Sequence, residues 1–316
     1  MAKTTRSSST GSHDNAVQER RAAVERARAW RRTWWAGAAV AVVAVAAGGA
    51  FFATRGSGSS ATTAGSSAAA PEVGGDLHTV QAVGDALFVG GHAAVAVSHD
   101  GGHQWQQVPS LHGADAMGWA STPDAVLVGG HPGLYRSTDA GATFTKATGA
   151  GAVADVHALG GTGTTVYLAS PKSGLMASTD GGRSWQVRNA QAGRTFMGTI
   201  LVDPKDPARL ITPDLSAALA TSSDGGLTWK SLGGPVGAMA VAWNPSDTRQ
   251  LIAVGMDGAQ ASSDGGATWR PIDLPKDTSA LTYDASGRTL YAGVLEGQSA
   301  RTFRSTDAGA SWTPTA

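Results

Sequence analysis

Ser178-Thr179-Asp180-Gly181-Gly182-Arg183-Ser184-Trp185 is the stretch from which the fold can be read. A serine hydroxyl and an aspartate two residues on can both hydrogen-bond the backbone of their own turn. The glycines supply the positive φ of a tight connection. The closing tryptophan returns the chain to a sheet, as an apolar anchor packed against the next unit. The same Ser-x-Asp-x-Gly-x-x-aromatic pattern begins at Ser98, Ser137, Ser222, Ser262 and Ser305, at intervals of 39 to 44 residues. A period near 40 is the mark of a propeller or solenoid. Between the turns lie short apolar runs such as Ala86–Val89, Val126–Val128, Val166–Ala169 and Leu251–Val254. Bounded by Gly and Asp, they read as strands.

Residues 77–316 thus divide into six units of about 40 residues, enough for four short strands each. The expectation is all-β: a six-bladed β-propeller preceded by one N-terminal transmembrane helix. The octapeptides resemble the Asp-box, or BNR repeat, of sialidases, sortilin-type receptors, xyloglucanases and photosystem assembly propellers. That resemblance covers about three quarters of the chain. It implies that the box is a fold-stabilising turn between a blade's third and fourth strands, away from the active face. Asp100, Asp139, Asp180, Asp224, Asp264 and Asp307 are then structural, each used up by its own turn.

The first eighty residues or so read as an address. Residues 1–32 form a basic head with 8 Lys and Arg against 3 Asp and Glu, while the remainder carries 16 against 21. A basic head on a mildly acidic body argues against a nucleic-acid binder. From Thr33 to Thr54 no residue is charged, and the run is long enough to cross a membrane. The arginines before it predict a cytoplasmic N-terminus and an extracytoplasmic body. Residues 55–76, rich in Ser, Gly and Ala, read as a flexible linker. A signal cleaved near Ala68-Ala69-Ala70 would instead give a secreted protein. With no Cys in 316 residues, disulfides and thiolate metal sites are excluded.

Two sets of residues stand out on the face opposite the boxes. The second residue of each inner strand gives the series His78, Met117, His157, Met197, Met239 and Ser279. In a closed propeller these positions form a ring, and imidazole with thioether donors suits copper. The turns between second and third strands place His92, His131, Asp214, Asp257 and Glu296 on the same face, as a ligand-binding set. Three readings remain open. One is a non-catalytic recognition or assembly module for a protein or carbohydrate partner. Another is a divergent glycosyl hydrolase, as the Asp-box resemblance implies, drawing two carboxylates from Asp115, Asp155, Asp214, Asp257 and Glu296. The third is a copper or soft-metal propeller. The single propeller Glu beyond residue 77 and the missing Arg-Ile-Pro signature weigh against a sialidase site.

Overall fold

The computed structural model describes residues 70–315. The expected cytoplasmic head, membrane span and most of the linker lie outside the described residues. Among the described residues no helix is long and apolar enough to cross a membrane. The described residues form six sheets, antiparallel but for one two-residue parallel pairing, in a six-bladed β-propeller. The first sheet is β1 Leu77–Val83, β2 Ala86–Gly91, β3 Val95–Ser98 and β4 Gln106–Gln107. The second is β5 Gly118–Thr122, β6 Ala125–Gly129, β7 Leu134–Ser137 and β8 Thr145–Lys146. The third is β9 Ala158–Thr162, β10 Thr165–Ser170, β11 Gly174–Ser178 and β12 Gln186–Asn189.

The fourth sheet departs from the pattern. Its innermost strand is split into β13 Gly198–Thr199 and β14 Leu201–Val202, ahead of β15 Leu210–Pro213, β16 Leu219–Ser222 and β17 Lys230–Gly233. β13 pairs in parallel with β9 of the third sheet, while β14 pairs with β15. Gly198 sits at φ +70°, and a Cβ there would stand 3.3 Å from the Met239 carbonyl and 3.9 Å from that of Met117. The inner backbones of three sheets converge at this point, and the positive φ favours glycine. The fifth sheet is β18 Ala240–Asn244, β19 Asp247–Gly255, β20 Gly258–Ser262 and β21 Arg270–Pro271. The sixth is β22 Thr278–Tyr283, β23 Leu290–Glu296, β24 Ser299–Ser305 and β25 Thr313–Pro314.

Each octapeptide closes the turn between the third and fourth strands by the same bonds. In the third sheet the Gly182 amide donates to Ser178 Oγ at 2.9 Å, Ser178 Oγ donates to Asp180 Oδ1 at 2.6 Å, and the Ser184 amide donates to Asp180 Oδ1 at 3.0 Å. These donors hold the turn aspartates ionised; the carboxyls of Asp139, Asp224, Asp264 and Asp307 fall to about 2. The closing aromatics pack on the preceding sheet, not the next one. Trp269 donates its indole N–H to Leu232 O of the fourth sheet at 3.2 Å, and Phe144 meets Phe88 of the first. The reason is the turn itself, which folds the ring back under its own second glycine, as in the 2.9 Å bond from Trp105 Nε1 to Gly102 O.

The ring closes without exchanging a strand between its ends. All four strands of the sixth sheet come from residues 278–314. Ser279 Oγ donates to Leu77 O at 3.1 Å across the seam. A strap of residues 71–74, assigned to the linker by composition, also pins the seam. Its Val73 is wholly buried and donates its amide to Gln298 O at 2.9 Å, and Ala300 donates to Pro71 O at 2.8 Å.

Ser178 is buried, so Ser178→Ala leaves the Gly182 N–H without its acceptor. The expected loss of unfolding free energy is about 1–3 kcal/mol, measured by urea denaturation followed by tryptophan fluorescence. A change within about 0.5 kcal/mol, the range of an ordinary surface substitution, would show that the hydroxyl does not hold the turn.

Candidate metal centre

Strand direction alternates within every sheet, so inner-strand starts and second-to-third turns share one face, here called upper, opposite the octapeptides. On that face β2 and β6 end in Gly90-Gly91-His92 and Gly129-Gly130-His131. Asp115 precedes β5 and Asp155 precedes β9. The glycines let adjacent units approach closely. A Cβ on Gly130 would overlap the Asp115 carbonyl, and one on Gly129 would enter the Val156 side chain. Ala116 N then donates to Gly91 O at 3.1 Å, Asp115 N to His131 O at 2.9 Å, and Val156 N to Gly130 O at 3.2 Å. The outcome is specific: each hairpin-end histidine reaches the aspartate that opens the following unit.

Four imidazoles and two carboxylates form a continuous arc over the first three sheets. His78, at a bulge in β1, places Nε2 2.8 Å from Asp115 Oδ1. The other Asp115 oxygen lies 3.8 Å from His92 Nδ1 and 3.3 Å from His131 Nδ1. His131 Nε2 stands 2.9 Å from Asp155 Oδ1, and His157 Nε2 stands 3.1 Å from the same oxygen. Asp115 and His78 are 7% and 9% exposed, whereas the His92 and His131 side chains are 64% and 52% exposed. The carboxylates therefore form the floor, and the rim is open to solvent.

Charge pairing sets the protonation states. Burial would raise the Asp115 carboxyl, but hydrogen bonds from His131 and His78 outweigh it and bring it down to about 2. Burial would likewise depress His78, yet the Asp115 hydrogen bond and charge leave it raised above 6.5. His131 is raised, chiefly by its Asp115 hydrogen bond. His157 goes the other way, lowered by burial and by the neighbouring His131.

Two trios have the composition of a cation site. One ligand atom from each of His78, His92 and Asp115 lies within 4.8 Å of the others, and the same holds for His131, Asp155 and His157. Ligand atoms sharing a tetrahedral cation at 2.0–2.1 Å stand about 3.4 Å apart, a spacing that small side-chain rotations reach. Nitrogen and carboxylate oxygen suit Zn²⁺, Ni²⁺ or Cu²⁺ more than Cu⁺.

The sequence groups His78 and His157 with Met117, Met197 and Met239; the structure groups them with Asp115, Asp155, His92 and His131. Met117 is buried, and Met239 packs among apolar side chains of the fifth and sixth sheets. Of the expected ligand-binding set, His92 and His131 join the arc. Asp214 instead accepts from Ser216 N at 2.8 Å within its own turn, Asp257 accepts from Val236 N at 2.8 Å, and Glu296 pairs with Arg301 at 3.0 Å. Spacing along the chain does not bring Asp115 and Asp155 beside the histidines; the tertiary structure does. Their signal in the sequence is the aspartate two residues before the ring position, at Asp76, Asp115, Asp155 and Asp277.

No protein-family model and no curated protein matches the sequence. Solved structures do match in shape. A GH74 enzyme of Niastella koreensis aligns at TM-score 0.51 and 18% identity, over 75% of this chain and 46% of that one. The GH74 xyloglucanase of Xanthomonas campestris aligns at 0.53 and 18%, over 79% and 46%. A nidogen/laminin complex chain aligns at 0.56 and 13%, over 72% and 91%. The likeness is one of fold. This chain spans less than half the length of either GH74 chain.

Proton linkage makes the arc testable. Raised in the folded state, His78 and His131 stabilise it below their ordinary value of 6.5, and this is lost as pH rises through their folded values. Asp115 contributes above its ordinary 3.8, and that contribution is lost as pH falls through about 2. In Asp115→Asn the burial of His78 is no longer offset, so its imidazole should titrate below 6.5, as read by histidine-ring NMR. An unchanged His78 titration would refute Asp115 as the cause.

Proposed function

We propose that this chain is a membrane-tethered, extracytoplasmic propeller that works by binding, and that its upper face takes a divalent transition-metal cation. The observation that supports this reading is the His78–Asp115–His131–Asp155–His157 arc, floored by a 7%-exposed carboxylate and open to solvent at His92 and His131. None of its six residues closes an octapeptide turn. The tether rests on the uncharged 33–54 run and the arginines before it. The repeats resemble those of the Asp-box group, whose members bind as well as hydrolyse.

Hydrolysis of glycosides asks one carboxyl of a pair to hold a proton near neutral pH. Asp115 is held ionised down to about 2, the opposite of a general acid. Binding accounts better for a carboxylate gripped by imidazoles on both oxygens.

The full chain, dialysed against Zn²⁺ and desalted, should retain zinc in stoichiometric amount by elemental analysis. His157→Ala and Asp115→Ala should each weaken binding by roughly 100-fold, at least what an outer-shell partner is worth. Asp214→Ala should bind as the parent does. Absence of retained zinc, or retention unaffected by the arc variants, would overturn the reading.

A further inference from the structure

His131 belongs to the second trio and also touches the first, through Asp115. Its Nδ1 lies 3.3 Å from Asp115 Oδ2 and its Nε2 lies 2.9 Å from Asp155 Oδ1, so the ring stands edge-on between the two carboxylates. On the Asp115 side wait His78 and His92; on the Asp155 side waits His157. Asp155 Oδ1 is buried and, among the described residues, has no aligned hydrogen-bond donor, although two imidazole nitrogens lie within 3.1 Å of it. Two imidazole nitrogens and a buried carboxylate oxygen thus converge within reach of one cation. The same arrangement is not repeated on the other three sheets, whose second strands end in Pro213, Gly255 and Glu296 and whose turns carry no histidine.

We infer that the arc is a two-cation centre in which the His131 ring bridges the metals, one at each nitrogen. This rests on the metal-binding reading above and extends it to stoichiometry and coupling. One cation is held by His78, His92, Asp115 and His131 Nδ1. The other is held by His131 Nε2, Asp155 and His157, with a coordination position left for solvent or an incoming ligand. Both His131 nitrogens face a carboxylate, at 3.3 and 2.9 Å. To bridge two cations the ring gives up every N–H proton to solvent and becomes an imidazolate, with one nitrogen lone pair donated to each metal. Ligand bonds of 2.0–2.1 Å on opposite sides of one imidazole place the cations about 6 Å apart. The bridge explains why His131 is half exposed yet anchored at both ends. Its backbone is fixed by the bond from Asp115 N to His131 O and by the close approach at Gly130.

Copper(II) reports the bridge directly, because two such ions joined by an imidazolate couple antiferromagnetically. The full chain is titrated with Cu²⁺ and followed by low-temperature electron paramagnetic resonance. The first equivalent should give a mononuclear signal, and the second should abolish most of it although elemental analysis shows both ions bound. His157→Ala should bind one Cu²⁺ with its full signal. His131→Ala should show a signal that grows with every ion bound. A second bound ion that adds its full signal in the parent chain would overturn the bridge while leaving metal binding intact. Coupling that survives in His131→Ala would also overturn it, assigning the bridge to a carboxylate. If the parent chain binds no Cu²⁺ and no Zn²⁺, the metal-binding reading itself falls.

Discussion

The structure depends on one small hydrogen-bonded lock, repeated six times. A serine hydroxyl accepts the amide four residues on and donates to the aspartate between them, which in turn accepts amides beyond the glycines. This satisfies the polar backbone of a turn that carries little else. It also fixes the direction in which the closing aromatic leaves the turn, under the preceding sheet. Sheets so stapled, each to the one before, curl until the sixth meets the first. The seam needs no exchanged strand because Ser279 and the 71–74 strap bond across it.

That repetition leaves the opposite face free to vary, and the histidines of the arc fall in the first three units. Units one and two end their second strands in Gly-Gly-His; units two and three open with Asp-x-Met and Asp-x-His. Neither motif is a site alone. Close backbone approach at Gly129 and Gly130 turns them into one, by carrying a side chain across a unit boundary to its counter-charge. The electrostatics follow from the same contact. Burial alone would raise the Asp115 carboxyl; flanked by His78 and His131 it is lowered instead, and it raises both imidazoles in turn.

The fourth sheet shows where repetition yields to packing. Its split inner strand lends β13 to the third sheet, and Gly198 allows the backbones of Met117 and Met239 to close in on it. An ideal ring drawn from equal units would leave these positions symmetric about an axis. Here they are drawn together, and Met117 and Met239 are used for packing.

Sequence alone determined the number of sheets, the octapeptide turns and the side of the molecule on which His78, His92, His131 and His157 lie, because hydrogen bonds within eight residues and strict strand alternation are local rules. It also determined the basic head and uncharged span of the first 54 residues, which composition reveals without a fold. Which of those histidines meet, and on what, was decided only by tertiary structure. The ring of equivalent positions pointed from histidine to methionine, whereas the contacts run diagonally, from a hairpin end in one unit to the loop opening the next. That diagonal depends on how closely two backbones approach, and backbone approach is set by packing across units rather than by spacing along the chain.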